Sequence, residues 1–315
     1  MSSAPVVLLG AGGQLGRTIA ADWQQDSGIR DIPISNEAAV VAQFPVKLHC
    51  FDRSSLDICQ PEQLTKKLTG LAPQVVINAA AYTKVDKAES EFDQALRVNR
   101  DGAAHVAEWA AANDCRLIHL STDFVFDGRS AKPYAPEDAT SPVSQYGFSK
   151  LEGEAAIKRL HPDKSTIIRT SWLYSRYQSN FLTTMLRLMA ERDQLRVVAD
   201  QVGTPTSTHS LSRLIESVIV CGESKGVFHW SDAGVASWYD FAVAIQEEAL
   251  QVGLLNEAIP VEPISSSEYP TPAVRPGYSV LDKSASYDRF AIAAVHWRSE
   301  LRRVIVELKE IADVA

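Results

Sequence analysis

With 315 residues, of which 45% are hydrophobic and 22% charged, the chain has the balance of a soluble globular protein. It is long enough for one large domain or two unequal ones. A formal net charge of −8 with no basic tract excludes a general nucleic-acid binder, so an anionic ligand must be met by local Arg, Lys and helix N-termini.

The start of the chain has no basic region followed by a long apolar run, and the apolar residues at 6 to 9 are too few for a membrane span. Cys50, Cys59, Cys115 and Cys221 are widely spaced, without a Cys-x-x-Cys pair. They read as buried thiols of a reducing compartment, and the expected location is the cytoplasm. No internal repeat or low-complexity segment is present.

Val6-Val7-Leu8-Leu9 is a short continuous apolar run, the pattern of a strand buried on both faces. It runs into Gly10-Ala11-Gly12-Gly13-Gln14-Leu15-Gly16 and then a helical pattern through Leu15, Ile19 and Trp23. A glycine-rich turn from strand to helix lets backbone approach a pyrophosphate, which the helix N-terminus then stabilises. Residues 28 to 45 read as a surface excursion with a short helix at 37 to 43. A second strand from Val46 to Phe51 ends at Asp52-Arg53. The acid suits the ribose hydroxyls of NAD and the arginine the 2′-phosphate of NADP, so the residues leave the cofactor open.

A helix from Pro61 to Thr69 and a third strand, Val75 to Asn78, follow. Ala79-Ala80-Ala81-Tyr82-Thr83 allows close approach of a flat ligand or of backbone. From Asp86 the pattern is helical, with Val98, Val106, Trp109 and Ala110 on one face. Asn99 interrupts that face and reads as a structural bond to backbone. A fourth strand, Leu117 to Leu120, delivers Ser121-Thr122-Asp123 to the edge of the sheet where ligands bind. A long ordered loop from 127 to 145 leads to a helix carrying Tyr146 and Lys150, four apart and therefore on one face. That spacing allows an ammonium to lower the pKa of a phenol and make it a proton donor. A fifth strand, Thr166 to Arg169, leads to Thr170-Ser171-Trp172.

Strand and helix alternate this far, as in an α/β fold with a doubly wound parallel sheet of Rossmann type. The later chain is mixed. It has a helix at 181 to 192 whose Met and Leu stripe reads as core, a short strand at 195 to 198, a last sheet strand at 227 to 229 and a helix at 238 to 250. The proline-rich stretch from 260 to 276 has no helical pattern. The expected organisation is a dinucleotide-binding domain from 1–172 and about 206–230, with a smaller, mixed C-terminal substrate domain from 173–205 and 231–315.

The glycine turn after the first strand, Thr122 after the fourth and Tyr146-x-x-x-Lys150 in the next helix stand in the order of an extended short-chain dehydrogenase/reductase, which the chain resembles. Within that family it is most similar to the dTDP-4-dehydrorhamnose reductases, over nearly its whole length. Asp200-Gln201 with Gly203 and Pro205 also carry the likeness, and the narrower signatures are Val85-Asp86-Lys87-Ala88-Glu89, Thr170-Ser171-Trp172 and Tyr269-Pro270-Thr271-Pro272.

The resemblance implies NADPH- or NADH-dependent reduction of the C4 ketone of dTDP-4-dehydrorhamnose. Tyr146 would donate the proton, Lys150 would depress its pKa and hold the nicotinamide ribose, and Thr122 would bond the ketone oxygen. Asp123 would bond a sugar hydroxyl, Trp172 would pack against the sugar, and Arg275 would pair with the diphosphate. Gly10, Gly13, Gln14, Leu15 and Gly16 would meet the pyrophosphate. Asp52, Arg53, Asp57 and Ile58 would surround the adenosine, and Ala81, Tyr82, Thr83 and Leu120 would line the nicotinamide side. A homodimer is expected. Some members hold a divalent ion, magnesium, at a dimer interface through glutamates; Thr18 stands where one of those acids is expected, so no metal-site residue is assigned.

A dehydratase needs an acid–base pair beside the threonine, and Phe124 cannot supply one. Another sugar-nucleotide reductase or epimerase of the family, or a non-catalytic regulatory subunit, stand as the alternatives.

Overall fold

The computed structural model of the chain describes residues 5–24 and 47–314. The expected helix at 37–43 and the excursion around it lie outside them. Strand β1 (Pro5–Leu9) enters helix α1 (Gln14–Gln24); β2 (Lys47–Phe51) and α2 (Pro61–Leu68) follow, then β3 (Val75–Asn78). The single helical pattern after Asp86 is broken in the structure into α3 (Val85–Ala88), α4 (Phe92–Leu96), a wider π turn at Arg97–Gly102 and α5 (Ala103–Ala112). Packing imposes the break. A Cβ on Gly102 would lie 2.8 Å from the Ile58 side chain, and the Asn99 carboxamide turns inward to bond the Tyr82 backbone at both its N–H and its carbonyl. The expected structural bond of Asn99 is therefore present.

Strand β4 (Arg116–Thr122), helix α6 (Gln145–Leu160) and β5 (Ser165–Thr170) complete the first half. Four short strands, β6 (Leu173–Tyr174), β7 (Leu195–Val198), β8 (Val202–Gly203) and β9 (Thr206–Ser207), come before the last sheet strand, β10 (Gly226–Trp230). Helix α7 (Phe181–Glu191) follows β6, and α8 (Thr208–Val220) follows β9. Six strands form one sheet in the order β10-β5-β4-β3-β1-β2, every pairing parallel. Parallel strands need crossovers, and the helices between them supply these on both faces. Leu15 and Ile19 of α1 with Leu211, Leu214, Ile215 and Val218 of α8 pack on one face. Leu64 and Leu68 of α2, Val106 and Ala110 of α5 and Ile157 of α6 pack on the other.

A second core lies beside the sheet. Helices α7, α9 (Trp238–Gln251) and α11 (Trp297–Val314) enclose Leu182, Met185, Met189, Phe241, Trp297 and Leu301, so the Met and Leu stripe is core as expected. Strand β11 (Ala236–Ser237) pairs with β8, and β12 (Val261–Ile264) with β7. The proline-rich stretch thus contains a strand; Pro263 is tolerated because the pair is two strands wide and leaves an edge without hydrogen-bonding demand. Helix α10 (Ser284–Phe290) differs from its neighbours, since Phe290 and Ile292 pack onto the sheet cluster. Helix α8 escaped the sequence reading because its face toward α1 and β10 is half polar, with Thr208, Ser210 and Ser212 buried and bonded.

Candidate active site

The turn after β1 is shaped by contacts that leave no room for a side chain. Gly10 has φ +83°, and a Cβ there would lie 2.6 Å from the Ala80 nitrogen. On Gly16 it would lie 2.3 Å from the Gly10 carbonyl oxygen. The Gly10 and Ala11 amides both donate to the Phe51 carbonyl at 2.9 and 3.0 Å, and Gly13 N–H donates back to the Gly10 carbonyl at 3.0 Å. Helix α1 then opens at Gln14 with no acidic residue in its first turn, so its N-terminal N–H groups and dipole are not neutralised by a side chain. The turn lies between β1 and β3, where the strand order reverses. Those features fit the diphosphate of a dinucleotide.

Beyond β2, the Asp52 carboxylate accepts from the Ser54 and Ser55 hydroxyls and the Ser55 amide. These bonds hold it down at about 2, a permanent anion at the edge of the turn. Arg53 is mostly exposed, its Nε 3.9 Å from Asp57, and Asp57 accepts from the Cys59 amide. Ile58 is 3% exposed and packs in the sheet cluster. Its side chain is therefore part of the core, and a ligand there would meet its backbone. On the other side of the crevice, Ala81 and Leu120 are half-buried and Thr83 is exposed. Tyr82 donates its hydroxyl to Glu91.

The catalytic helix is pressed against the end of β4. Ser144 caps α6 by accepting from the Gly147 amide, and a Cβ on Gly147 would lie 2.2 Å from the Phe124 carbonyl oxygen. Only glycine allows this approach, which brings Tyr146 to the Thr122–Phe124 turn with its ring edge-on to Phe124. Thr122 accepts from the Phe124 amide and donates to Asp123 Oδ1 at 3.1 Å. Burial pushes the Tyr146 phenol up to about 12, the Thr122 hydroxyl draws it down, and the Asp123 carboxylate raises it further. Lys150 takes no part in that balance. Its Nζ points to the Leu120 carbonyl at 2.6 Å and to His119 Nε2 at 3.4 Å, and burial pushes it down to about 8. Helical spacing places both residues on one face, but the Lys150 stem is long enough to reach a partner on the sheet instead. Burial, Thr122 and Asp123 set the phenol here, and the expected lowering by Lys150 is left to the proposal below.

Asp123 is 1% exposed, and burial raises it to about 6 against the pull of the Ser279 and Thr122 hydroxyls. Its Oδ2 makes no hydrogen bond among the described residues, which leaves an acceptor beside the phenol for a ligand hydroxyl. Trp172 stands close by in a left-handed conformation, φ +44°. It is stacked on Trp238 with ring centroids 3.5 Å apart. A Cβ on Gly203 would meet the Trp172 ring at 2.6 Å and Ser279 Oγ at 2.9 Å, so Trp172, Gly203 and Ser279 enclose one corner of the site. Trp238 and Ser279 were not found from sequence, because neither lies in a local motif. Arg275 was expected on a diphosphate. The structure turns it onto Asp86 instead, through Nη1 at 3.0 Å and Nη2 at 2.8 Å, and this bond holds the Asp86 carboxyl low. The pair ties α3 to the proline-rich stretch.

One helical turn below Lys150, Glu154 is fully buried against Arg169 of β5. Nε and Nη2 donate to its two oxygens at 2.8 and 2.7 Å, and Ser121 donates at 2.6 Å. Burial pushes the carboxyl up, but these donors outweigh it and hold it below its ordinary value. Thr18, the position expected to carry a metal-binding acid, bonds Thr208 at 2.7 Å. Among the described residues no group of three or more His, Cys, Asp and Glu is placed to hold a metal ion, and no helix is long and apolar enough to cross a membrane.

Residues 4–310 match the family model described as the RmlD substrate binding domain. A dTDP-4-dehydrorhamnose reductase of Sinorhizobium fredii is 41% identical over 273 residues, covering 84% of this chain and 90% of the relative. One of Aggregatibacter actinomycetemcomitans is 37% identical over 306 residues, covering 96% and 98%. Among solved structures, the dTDP-4-dehydrorhamnose reductase of Bacillus anthracis in complex with NADP is similar with a TM-score of 0.84 and 33% identity, covering 97% of this chain and 99% of that one.

Proposed function

The chain belongs to the dTDP-4-dehydrorhamnose reductase family, and from that premise we propose that it reduces the C4 ketone of dTDP-4-dehydro-L-rhamnose to dTDP-L-rhamnose with NADPH or NADH. The observation that carries this reading is the cluster at the end of β4. It combines the Tyr146 phenol, the Thr122 hydroxyl and the unpartnered oxygen of buried Asp123, at the same sheet edge as the glycine turn.

A reduced nicotinamide bound along the crevice supplies the hydride. The turn from Gly10 to Gly16 and the start of α1 hold its diphosphate, Asp52, Arg53 and Asp57 meet the adenosine side, and Ala81, Tyr82, Thr83 and Leu120 line the nicotinamide side. Negative charge then develops on the ketone oxygen, where Tyr146 is the donor and Thr122 becomes a second one on turning its proton away from Asp123. A phenol at about 12 keeps its proton throughout the neutral range and releases it only to a stronger base, the nascent alkoxide. Asp123 orients a neighbouring sugar hydroxyl, and Trp172 with Trp238 behind it gives the sugar a flat wall. Lys150 is assigned to the nicotinamide ribose and to the expected lowering of the phenol. Arg275 reaches the diphosphate only by leaving or sharing Asp86. We read 173–205 and 231–315, less the segment around α10 that packs on the sheet, as the sugar-nucleotide lobe. The homodimer stays part of the same proposal, and a metal ion does not.

The test is oxidation of NADPH, and separately of NADH, followed by loss of the reduced-nicotinamide absorbance on adding dTDP-4-dehydrorhamnose, with dTDP-rhamnose identified as product. Tyr146→Phe is expected to fold and bind cofactor while losing turnover on the order of a thousandfold. No oxidation by wild-type protein that binds cofactor would favour an epimerase or a regulatory subunit.

A further inference from the structure

Gly10 and Gly16 of the cofactor turn are held by contact, but Gly12 and Gly13 between them are not. A Cβ on Gly12 would lie 3.4 Å from Asp52, and one on Gly13 3.3 Å from the Gly10 carbonyl oxygen, so neither position is closed to a side chain. Two adjacent glycines have the widest conformational freedom a chain offers. The peptide between them must therefore be fixed by its hydrogen bonds. Gly13 N–H donates to the Gly10 carbonyl at 3.0 Å. The Gly12 carbonyl, on the other side of the same peptide, accepts from two side chains. One is Arg17, through Nε at 3.1 Å, and the other is Gln178, through Nε2.

Arg17 belongs to α1 and is a local partner. Gln178 comes from the loop between β6 and α7, and α7 is part of the second core. The loop is built to hold it there. Asn180 caps α7 by accepting from the Thr183 amide, and its Nδ2 donates to the Ser175 and Tyr177 carbonyls at 2.8 and 3.2 Å. The Thr183 hydroxyl donates to the Gln178 carbonyl at 3.2 Å. Gln178 itself has φ +58°, a left-handed conformation that glycine adopts freely and glutamine does not. A residue stays in that region against its preference only where its surroundings over-determine it, and Asn180 and Thr183 do so here. The same loop makes a second contact with the turn. Ser175, 1% exposed, donates to Gln14 Oε1 at 3.0 Å.

We propose that Gln178 is a positioning residue for the cofactor, a clasp from the substrate lobe that pins the Gly12–Gly13 peptide and so sets the diphosphate turn. With its carbonyl held by two donors, that peptide does not rotate to bring an oxygen round to face an anion. The amides at the start of α1 then keep their aim. The turn is fully shaped only while the two lobes are together. Dinucleotide affinity thereby depends on a residue that lies outside the dinucleotide-binding half of the chain. That a dinucleotide occupies the turn rests on the function proposed above; the pinning of the peptide does not.

Two variants separate the donor from the strain. Gln178→Gly removes the carboxamide and suits the left-handed backbone, so it is expected to fold with a Tm near that of the wild type. Gln178→Met keeps the length and the strain but has no N–H to donate. Hydrogen exchange of the ligand-free protein, read by NMR, should quicken roughly fivefold at the Gly13 amide in both variants and stay unchanged in α7. Fluorescence titration with NADPH, and separately with NADH, should show the Kd raised roughly fivefold in both. Unchanged exchange or unchanged affinity in Gln178→Gly would overturn the proposal and leave Gln178 a surface side chain. A loss in Gln178→Met alone would make strain the cause rather than the donor, and would overturn it equally. Exchange that quickens throughout α7 as well would make the loop a general tie between the lobes, and the assignment to the turn would fall. Wild-type protein that binds neither nucleotide would sink the proposed reaction and the cofactor role with it, whereas the Gly13 exchange would still decide whether Gln178 pins the turn.

Discussion

The glycine turn after β1 and the polar layer beneath α6 both serve the same crevice, but they are built by opposite means. The turn works by exclusion: Gly10 and Gly16 are there because any Cβ would strike backbone, and what remains is a close-packed turn that leads into the N-terminus of α1. The layer works by occupation. Asn78, His119, Ser121 and Arg169 fill strand positions with polar side chains that Lys150 and Glu154 of α6 must satisfy. A site shaped by backbone tolerates no added atoms, whereas a site shaped by buried polar side chains tolerates no missing ones.

The largest effect is expected in the layer. Arg169→Met leaves Glu154 buried without its principal donor, and should cost about 3–5 kcal/mol of stability in urea unfolding. Removing the acid as well, in Glu154→Gln with Arg169→Met, should restore part of that loss. If the double variant is no better than the single, the ion pair is not what sets the cost. Gly16→Ala tests the turn by adding one carbon and should cost about 1–3 kcal/mol, with loss of cofactor binding in a fluorescence titration. Unchanged binding would show that the turn can move aside, and the contrast between the two regions would fail.

The smallest effect is a pH dependence. Asp123 rises to about 6 in the folded protein, above the value of about 3.9 it has when unfolded. The folded state therefore holds that proton more tightly. The stability this contributes is complete below the unfolded value and is lost as pH rises through 6. Wild-type stability minus that of Asp123→Asn should accordingly fall between about pH 4 and about pH 7. A flat difference would mean that Asp123 is ionised throughout, hydrogen-bonded as an anion like Asp52.

The contrast also explains which parts of the site could be read early. Gly10 to Gly16, Thr122 with Asp123, and Tyr146 with Lys150 each lie within a few residues of one another. Local spacing is enough to show that they share a turn or a helix face. Glu154, Arg169, Ser121 and His119 carry no such mark. Each is ordinary alone, and their meaning comes from β4 and β5 pairing Ser121 with Arg169 in register. Trp238 and Ser279 are further still from Trp172 and Asp123 along the chain, and helix α8 hid behind buried serines and threonines whose partners lie on other elements.

The sequence by itself determined the alternation of strand and helix, the glycine turn, and the placing of a phenol and an amine one helical turn apart, because these depend on periodicity and on residues close in the chain. Tertiary structure decided what the amine does. Helical spacing allows Lys150 to stand by Tyr146, but a long flexible stem goes where its hydrogen bonds are best satisfied. In this fold those partners are the Leu120 carbonyl and the neighbouring His119, both on β4.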